Sequence, residues 1–377
     1  MTARFLTLCR KNLFPSWFEG LLSLLILAGI AVLVYALAHW AIVQAQWSVI
    51  GGSLRFLMAG TLDLTELWRA WLASGIFCLL VGISLARITR ARAIKGLLAA
   101  GAISLAAAAI LWGIGDPVAA RVAALLLAAV VGALIGARLP WRSSWLSLIW
   151  VAGVVLMWQL LVLDAGHAVG GLLLGVLVTL VAAIVSFPLG ILLALGRTSR
   201  LPGVRWVSTA YIELIRSLPL ISILYWAWMV VPLILASDVR ISDVVRGTIG
   251  ITLFYAAYVA EYVRGGLQAV PEGQWHAARS LGLRKTDILI QIVLPQAIRT
   301  VLPGLVGNVL DIFNNVPLLF IIGLTEFVRA GQVVLANPQF SDQIYEVYAF
   351  MFVVYLIIAT VLTWSSRVVE RTMGPGG

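Results

Sequence analysis

Four ionisable residues stand where an apolar chain can least accommodate them. Glu213 and Arg216 form one pair and Glu261 and Arg264 another, each at helical i,i+3 spacing. A charged side chain toward a membrane interior costs about 2.5–3.5 kcal/mol on insertion scales unless a partner or a cavity compensates it. Two chemistries follow. Each pair can neutralise itself near a membrane boundary, or one member can face a polar path and meet the ammonium or carboxylate of a solute. Tyr258, Asn314 and Asn315 suit the same path, or equally the bonding of neighbouring helices. Metal chemistry is disfavoured because His39, His167 and His276 are scattered along the chain. None of Lys11, Lys95 and Lys285 follows a glycine, so the chain has no Gly-x-x-x-x-Gly-Lys-Ser/Thr loop with which to hold a nucleotide.

The elements that must position these residues are membrane helices. Of the 377 residues 62% are hydrophobic and 11% charged, and the mean hydropathy is +1.04. A chain this apolar needs a bilayer as solvent, and about 20 apolar residues span one. Runs of that kind lie near 20–43, 68–86, 96–115, 118–137, 145–163, 171–196, 206–236, 246–264, 304–323 and 344–366, which predicts an all-α polytopic protein of about ten spans. Pro219 and Pro232 fall inside the 206–236 run, so part of it can form a separate short helix. The first run is too long for a signal peptide, although Ala36-Leu37-Ala38 resembles a cleavage site, and reads as a retained helix. Cys9 and Cys78 imply no disulfide framework. A net charge of +10 has no soluble basic domain on which to bind nucleic acid. The cations gather instead in alternate loops, at Arg87 to Lys95, Arg197 to Arg205 and Arg279 to Arg299, which places both termini in the cytoplasm.

Texture changes near residue 165. Residues 96–135 are almost wholly Ala, Leu, Val, Ile and Gly; after 205 charged and amide residues appear beside or inside the spans. This divides the chain into an accessory part, 1–165, of about five helices, and a working part, 166–377. The spacings Gly132/Gly136 and Gly171/Gly175 permit close helix contact.

The working part contains one long non-spanning segment, 265–303. Pro271 can open a helix there, and Gly282 suits its left-handed stop. Thr286 and Asp287 are placed to cap a second short helix that Pro295 would end. The result would be a compact protrusion whose small residues, Ala277, Ala278 and Ser280, admit a partner's backbone.

At these residues the chain resembles ABC importer permeases, whose signature loop reads Glu-Ala-Ala-x-x-x-Gly followed at fixed spacing by Ile-x-Leu-Pro. Here the positions are His276-Ala277-Ala278, Gly282 and Ile292-Val293-Leu294-Pro295, with His276 in place of the usual Glu. Phe187-Pro188-Leu189-Gly190, the run from Tyr211 to Leu220 and the run from Ala257 to Gly266 are similar to polar amino-acid permeases, in particular the general L-amino-acid and glutamate/aspartate systems. Asn314-Asn315-Val316-Pro317-Leu318 departs from that family's Lys-Asp-Thr-Ser/Thr-Leu.

The resemblance implies a type I importer permease core and transport of amino acids across a bacterial inner membrane by alternating access. It further implies two ATPase subunits carrying ATP-Mg and docking on the loop, a second and different permease chain, and a periplasmic binding protein. This chain would itself bind no cofactor and catalyse no reaction. An ion-coupled carrier or channel without an ATPase is the alternative; it would need intramembrane carboxylates or inverted repeats.

Overall fold

The computed structural model describes residues 16–89, 117–138, 143–163, 169–234 and 241–373. The expected 96–115 span, Cys9, His167 and the boundary near 165 lie outside them. Among the described residues the fold is helical, with two isolated bridges, Gly60 to Val169 and Gly171 to Glu326.

The helices are α1 Trp17–His39, α2 Ser48–Ala59, α3 Leu67–Thr89, α4 Pro117–Arg138, α5 Ser143–Trp158 and α6 Gly171–Arg197. They continue as α7 Pro202–Ser217, α8 Leu220–Ile234, α9 Asp243–Ala269, α10 Glu272–Ser280, α11 Leu294–Asn315, α12 Phe327–Leu335 and α13 Ile344–Met373. Among the described residues seven helices are long and apolar enough to cross a bilayer, or eight if one bent pair counts as a span, against about ten expected, one of which, 96–115, lies outside those residues. The bent pair is the 206–236 run. It breaks at Leu218 and Pro219 into α7 and α8, inclined at 108°. The 246–264 run lies inside α9, which has 27 residues but is not among the seven. The reason is its position: α6, α7, α8 and α11 enclose α9, so its surface meets protein and can carry Thr248, Thr252 and Glu261.

Small residues set the helix spacing. Gly190 of α6 faces Val259 and Ala256 of α9, where an added Cβ would sit 2.5 Å from the Val259 side chain. Gly132 and Gly136 of α4 lie against the Leu79 and Ile83 carbonyls of α3. Leu79 is thus beside Gly132 and Ile83 beside Gly136, so α3 and α4 run parallel and Thr89 and Pro117 stand at opposite ends of the pair. Gly171 makes the expected close helix contact, an added Cβ lying 2.3 Å from the Leu57 carbonyl of α2; it also has φ +59, and its backbone N–H donates to the Thr325 carbonyl at 2.8 Å.

The two parts of the chain share packing. Ala73, Met157 and Leu161 belong to the same apolar cluster as Leu174, Leu177 and Ile251. Helix α2 places Val49, Ile50 and Leu57 against Phe327, Val334, Val347 and Met351. Beside this cluster the buried Glu326 carboxylate caps α12 by accepting the Val328 and Arg329 N–H groups at 2.8 and 2.7 Å. Burial raises its pKa above the ordinary carboxylate value, and the two N–H bonds oppose that shift.

Candidate functional site

The charged residues meet at one end of the bundle, where the last turn of α6, the body of α7 and the second half of α9 converge. Glu261 is the centre. Its Oε1 accepts Arg197 Nη1 at 2.7 Å, and its Oε2 lies 2.8 Å from Arg264 Nη2 and 3.3 Å from Arg216 Nη1. Arg197 reaches Glu213 with its other terminal nitrogen, also at 2.7 Å. Arg264 continues outward to Gln268 Oε1 at 2.8 Å. The Glu261/Arg264 pair therefore exists as its spacing predicts. The Glu213/Arg216 pair does not: Glu213 is taken by Arg197 and Arg216 by Glu261, because three helix ends bring opposite charges closer than one helix face does. Arg197, the residue that joins the two carboxylates, receives no role from sequence spacing because it is 64 positions from Glu261.

Arg216 links this network to a cleft. Its guanidinium lies 5.6 Å from the ring centroid of Tyr258, within cation–π range. Tyr258 is one wall of a cavity of about 550 Å³ between the start of α8, the middle of α9 and the end of α11. The polar wall is formed by Tyr255, Tyr258, Tyr262, Asn308, Asp311 and Asn315. Asn315 donates to the Tyr255 hydroxyl at 3.0 Å and to the Asp311 carbonyl at 2.9 Å, which fixes its amide. Asn314, one residue earlier, is exposed and is not part of the wall. Of the expected path residues, Tyr258 and Asn315 thus face the cleft. Glu213, Arg216, Glu261 and Arg264 sit in the network beside it.

Sequence reading passed over Asp311. Its side chain is exposed in the cleft, without an ion-pair partner among the described residues. The available signal was one carboxylate inside the 304–323 span, on the helical face that also carries Asn308 and Asn315.

The 265–303 segment folds as a helical protrusion. Helix α10 begins after Pro271 and stops at Gly282, which adopts φ +76 as expected. The Gly282 N–H donates to the Arg279 carbonyl at 2.9 Å, and Leu283 N–H to the Ala278 carbonyl at 3.3 Å, closing a left-handed cap. His276, Ala277, Gly282 and Pro295 are exposed, whereas Ile292 and Leu294 are half-buried. Ala278 is a correction to the expected docking surface. It is buried with Val270, Ile288, Val293 and Ala297 in the protrusion's own small core. Leu281, 79% exposed at the tip, is the large apolar side chain offered outward. Pro295 is a second correction: the chain passes from a turn at Lys285–Asp287 through a wider π turn, Ile288–Val293, directly into α11. Proline lacks an N–H and is tolerated in the first turn of a helix, so Pro295 opens α11 instead of ending a short one.

Residues 186–375 match the family described as the binding-protein-dependent transport system inner membrane component, and the chain belongs to that family. It is a multi-pass membrane permease subunit. The inner membrane amino-acid ABC transporter permease protein YhdY of Escherichia coli K12 is 38% identical over 55% of this chain and 56% of its own length, so the chain spans little more than half of that relative. The glutamate/glutamine/aspartate/asparagine transport system permease protein BztC of Rhodobacter capsulatus is 30% identical over 89% of this chain and 79% of its own. The likeness to BztC therefore reaches well before residue 186. A crystal structure of an amino acid ABC transporter with histidines shares 26% identity over 54% of this chain and 92% of that one, with a TM-score of 0.49.

Proposed function

We propose that this chain forms half of the translocation path of an ATP-driven amino-acid importer of a bacterial inner membrane. Both termini are cytoplasmic, and a second permease chain completes the path. A periplasmic binding protein delivers the substrate, and two ATPase subunits carry ATP-Mg. The observation that carries the reading is the protrusion at 271–295, whose signature spacing is realised as a rigid turn at Gly282 with Leu281 exposed at its tip. The ATPase seats on the exposed residues His276, Ala277, Leu281 and Gly282. Ala278, Ile292 and Leu294 hold the protrusion in shape, and Pro295 joins it to α11. A push on α10 then passes through the core around Ala278 and Val293 into α11, one wall of the cleft.

In the cleft an amino acid's ammonium meets Asp311, and the phenols and amides of Tyr258, Tyr262 and Asn308 supply donors for its carboxylate. Residues 1–165 are accessory to transport, and α9 with its ionic network holds the working helices in register.

Gly282→Val tests the coupling. No atom lies within 4 Å of an added Cβ at Gly282, so the change acts through the left-handed backbone alone, at about 1–2 kcal/mol for an L-residue. The complex should fold and bind nucleotide while ATP-driven uptake in proteoliposomes falls by about tenfold, in line with a strain of that size. Wild-type uptake by a correctly inserted variant would remove the protrusion from the mechanism.

A further inference from the structure

A second cavity, of about 820 Å³, opens between the α6–α7 turn, the end of α9 and the protrusion. Four of its lining residues are cationic: Arg197, Arg200, Arg264 and Lys285. The first and third are bound to glutamates in the ionic network. Arg200 and Lys285 are exposed and, among the described residues, have no carboxylate partner. The network adds to their charge, since Arg197, Arg216 and Arg264 face only Glu213 and Glu261. Ser199 and Thr286 bring hydroxyls to the same wall, while the Thr198 hydroxyl donates to the Leu195 carbonyl. The cavity is thus a positively charged bowl with hydroxyl donors, suited to a phosphate diester.

Its surroundings say which kind. Immediately after Arg200, helix α7 opens with Leu201, Val204 and Trp206, which are 64%, 45% and 72% exposed. Leu192, one turn before the cavity on α6, is 64% exposed. Exposed apolar side chains thus stand on both helices, α6 and α7, whose connecting turn lines the bowl, and tryptophan is enriched at the membrane–water interface. A soluble anion has no use for such a rim, whereas a phospholipid fills both parts at once. Basic pockets at the ends of membrane helices attract anionic headgroups, at about 1 kcal/mol per cation near the surface.

We propose that this cavity binds the headgroup of an anionic phospholipid, with its phosphodiester between Arg200 and Lys285 and its acyl chains along Leu201, Val204 and Trp206. Arg200 belongs to the bundle and Lys285 to the protrusion, so a bound headgroup ties the two together. The site is independent of the substrate carried.

The test uses the full-length chain purified in detergent, with lipid adducts counted by native mass spectrometry and the unfolding midpoint followed in parallel. The probes are short-chain phosphatidylglycerol, phosphatidylcholine of equal chain length, and inorganic phosphate. Phosphatidylglycerol should bind saturably and raise the midpoint, with phosphatidylcholine and phosphate at least tenfold weaker. Arg200→Gln/Lys285→Gln should raise the half-saturating concentration about thirtyfold, as expected for two cations lost. The charge-preserving Arg200→Lys/Lys285→Arg protein should bind as wild type. Equal response to the two lipids overturns the proposal, and does so on wild-type protein whatever becomes of the variants. Protection by phosphate alone to the same degree would make this a site for a soluble anion. Unchanged binding by the double glutamine variant would place the lipid elsewhere.

Discussion

Two of the helix pairs that meet through glycine among the described residues differ in what else joins them. The α3–α4 pair is closed by Gly132 and Gly136 against the Leu79 and Ile83 carbonyls, and no ion pair joins it among the described residues. The α6–α9 pair is closed by Gly190 against Val259 and then adds Arg197 and Glu261 at one end. Apolar contact alone suffices to hold helices together in lipid, where close backbone approach is the main source of affinity. Charge is therefore an extra expense at α6–α9, and it stands where the bundle has a cleft on one side and a protrusion on the other. The comparison separates a pair without an ion pair from one that places charge between the cleft and the protrusion.

The strongest way to break that distinction is at the centre of the network. Glu261→Gln leaves Arg197, Arg216 and Arg264 facing one another across the junction of α6, α7 and α9. Removing one partner from a partly buried ion cluster should cost about 2–3 kcal/mol, between the values for exposed and fully buried pairs. The expected outcome is a lowered unfolding midpoint together with loss of uptake. Arg264→Gln, which leaves two guanidiniums on Glu261, should cost less. If both variants keep wild-type stability and uptake, the network is decoration and the distinction fails.

The corresponding change in the other pair is Gly132→Leu. An added Cβ would lie 2.2 Å from the Leu79 carbonyl, a backbone atom that cannot yield as a side chain can. Overpacking of this kind costs about 1–3 kcal/mol. The chain should unfold at lower temperature, yet the protein that remains folded should transport at the wild-type rate, because neither the cleft nor the protrusion touches α4. Loss of specific activity in well-folded protein would mean that the accessory helices take part in the motion.

How much of this arrangement was legible follows the range of the interactions. Gly282 and Pro271 act through their own backbone, so the turn and the start of α10 could be read from residue type. The break at Pro219 was legible for the same reason. Ala278 could not be assigned an inward direction from spacing alone, because the core that receives it is supplied by Ile288, Val293 and Ala297 from later in the chain. The ionic network was misread because helical spacing proposes local partners, while Glu213 and Arg216 each found a stronger partner on another helix. The 246–264 run was legible as a helix, and its polar residues follow from its place: hydropathy measures fitness for lipid, and α9 is surrounded by protein.

In the cleft a smaller and more selective effect is expected. Asp311→Asn keeps the size of the side chain and removes its charge. With no ion-pair partner among the described residues and an exposed position, Asp311 contributes little to folding, so stability should stay within about 0.5 kcal/mol of wild type. The half-saturating concentration of the amino acid for uptake should rise, by roughly tenfold for one lost charge-assisted bond. Because the α-ammonium is common to all amino acids, acidic, neutral and basic competitors should weaken alike, with the maximal rate of uptake unchanged. A fall in the maximal rate at an unchanged half-saturating concentration would assign Asp311 to the structure of the cleft instead of to its ligand.

The smallest effect is expected at α1, and it sharpens the comparison from the other side. Among residues 17–39 only Gly20 is buried, and the large apolar side chains of the helix, including Leu25, Val32 and Tyr35, are mostly exposed. Helix α2, directly after it, is different in kind: Leu57 and Val49 are fully buried against Phe327 and Val347, and the Gln46 N–H donates to Glu346 at 3.0 Å. Proximity in sequence therefore does not make the two helices one unit. Replacing residues 17–39 by an unrelated apolar helix of equal length preserves the crossing and the orientation while discarding every side chain of α1. The isolated chain should keep its unfolding midpoint, since almost no buried surface changes. The same exchange applied to α2 should lower it, because the cluster beneath Phe327 and Met351 would be opened. If the α1 exchange destabilises the isolated chain as much as the α2 exchange does, α1 packs against the bundle, and accessory helices would have to be defined by something other than burial.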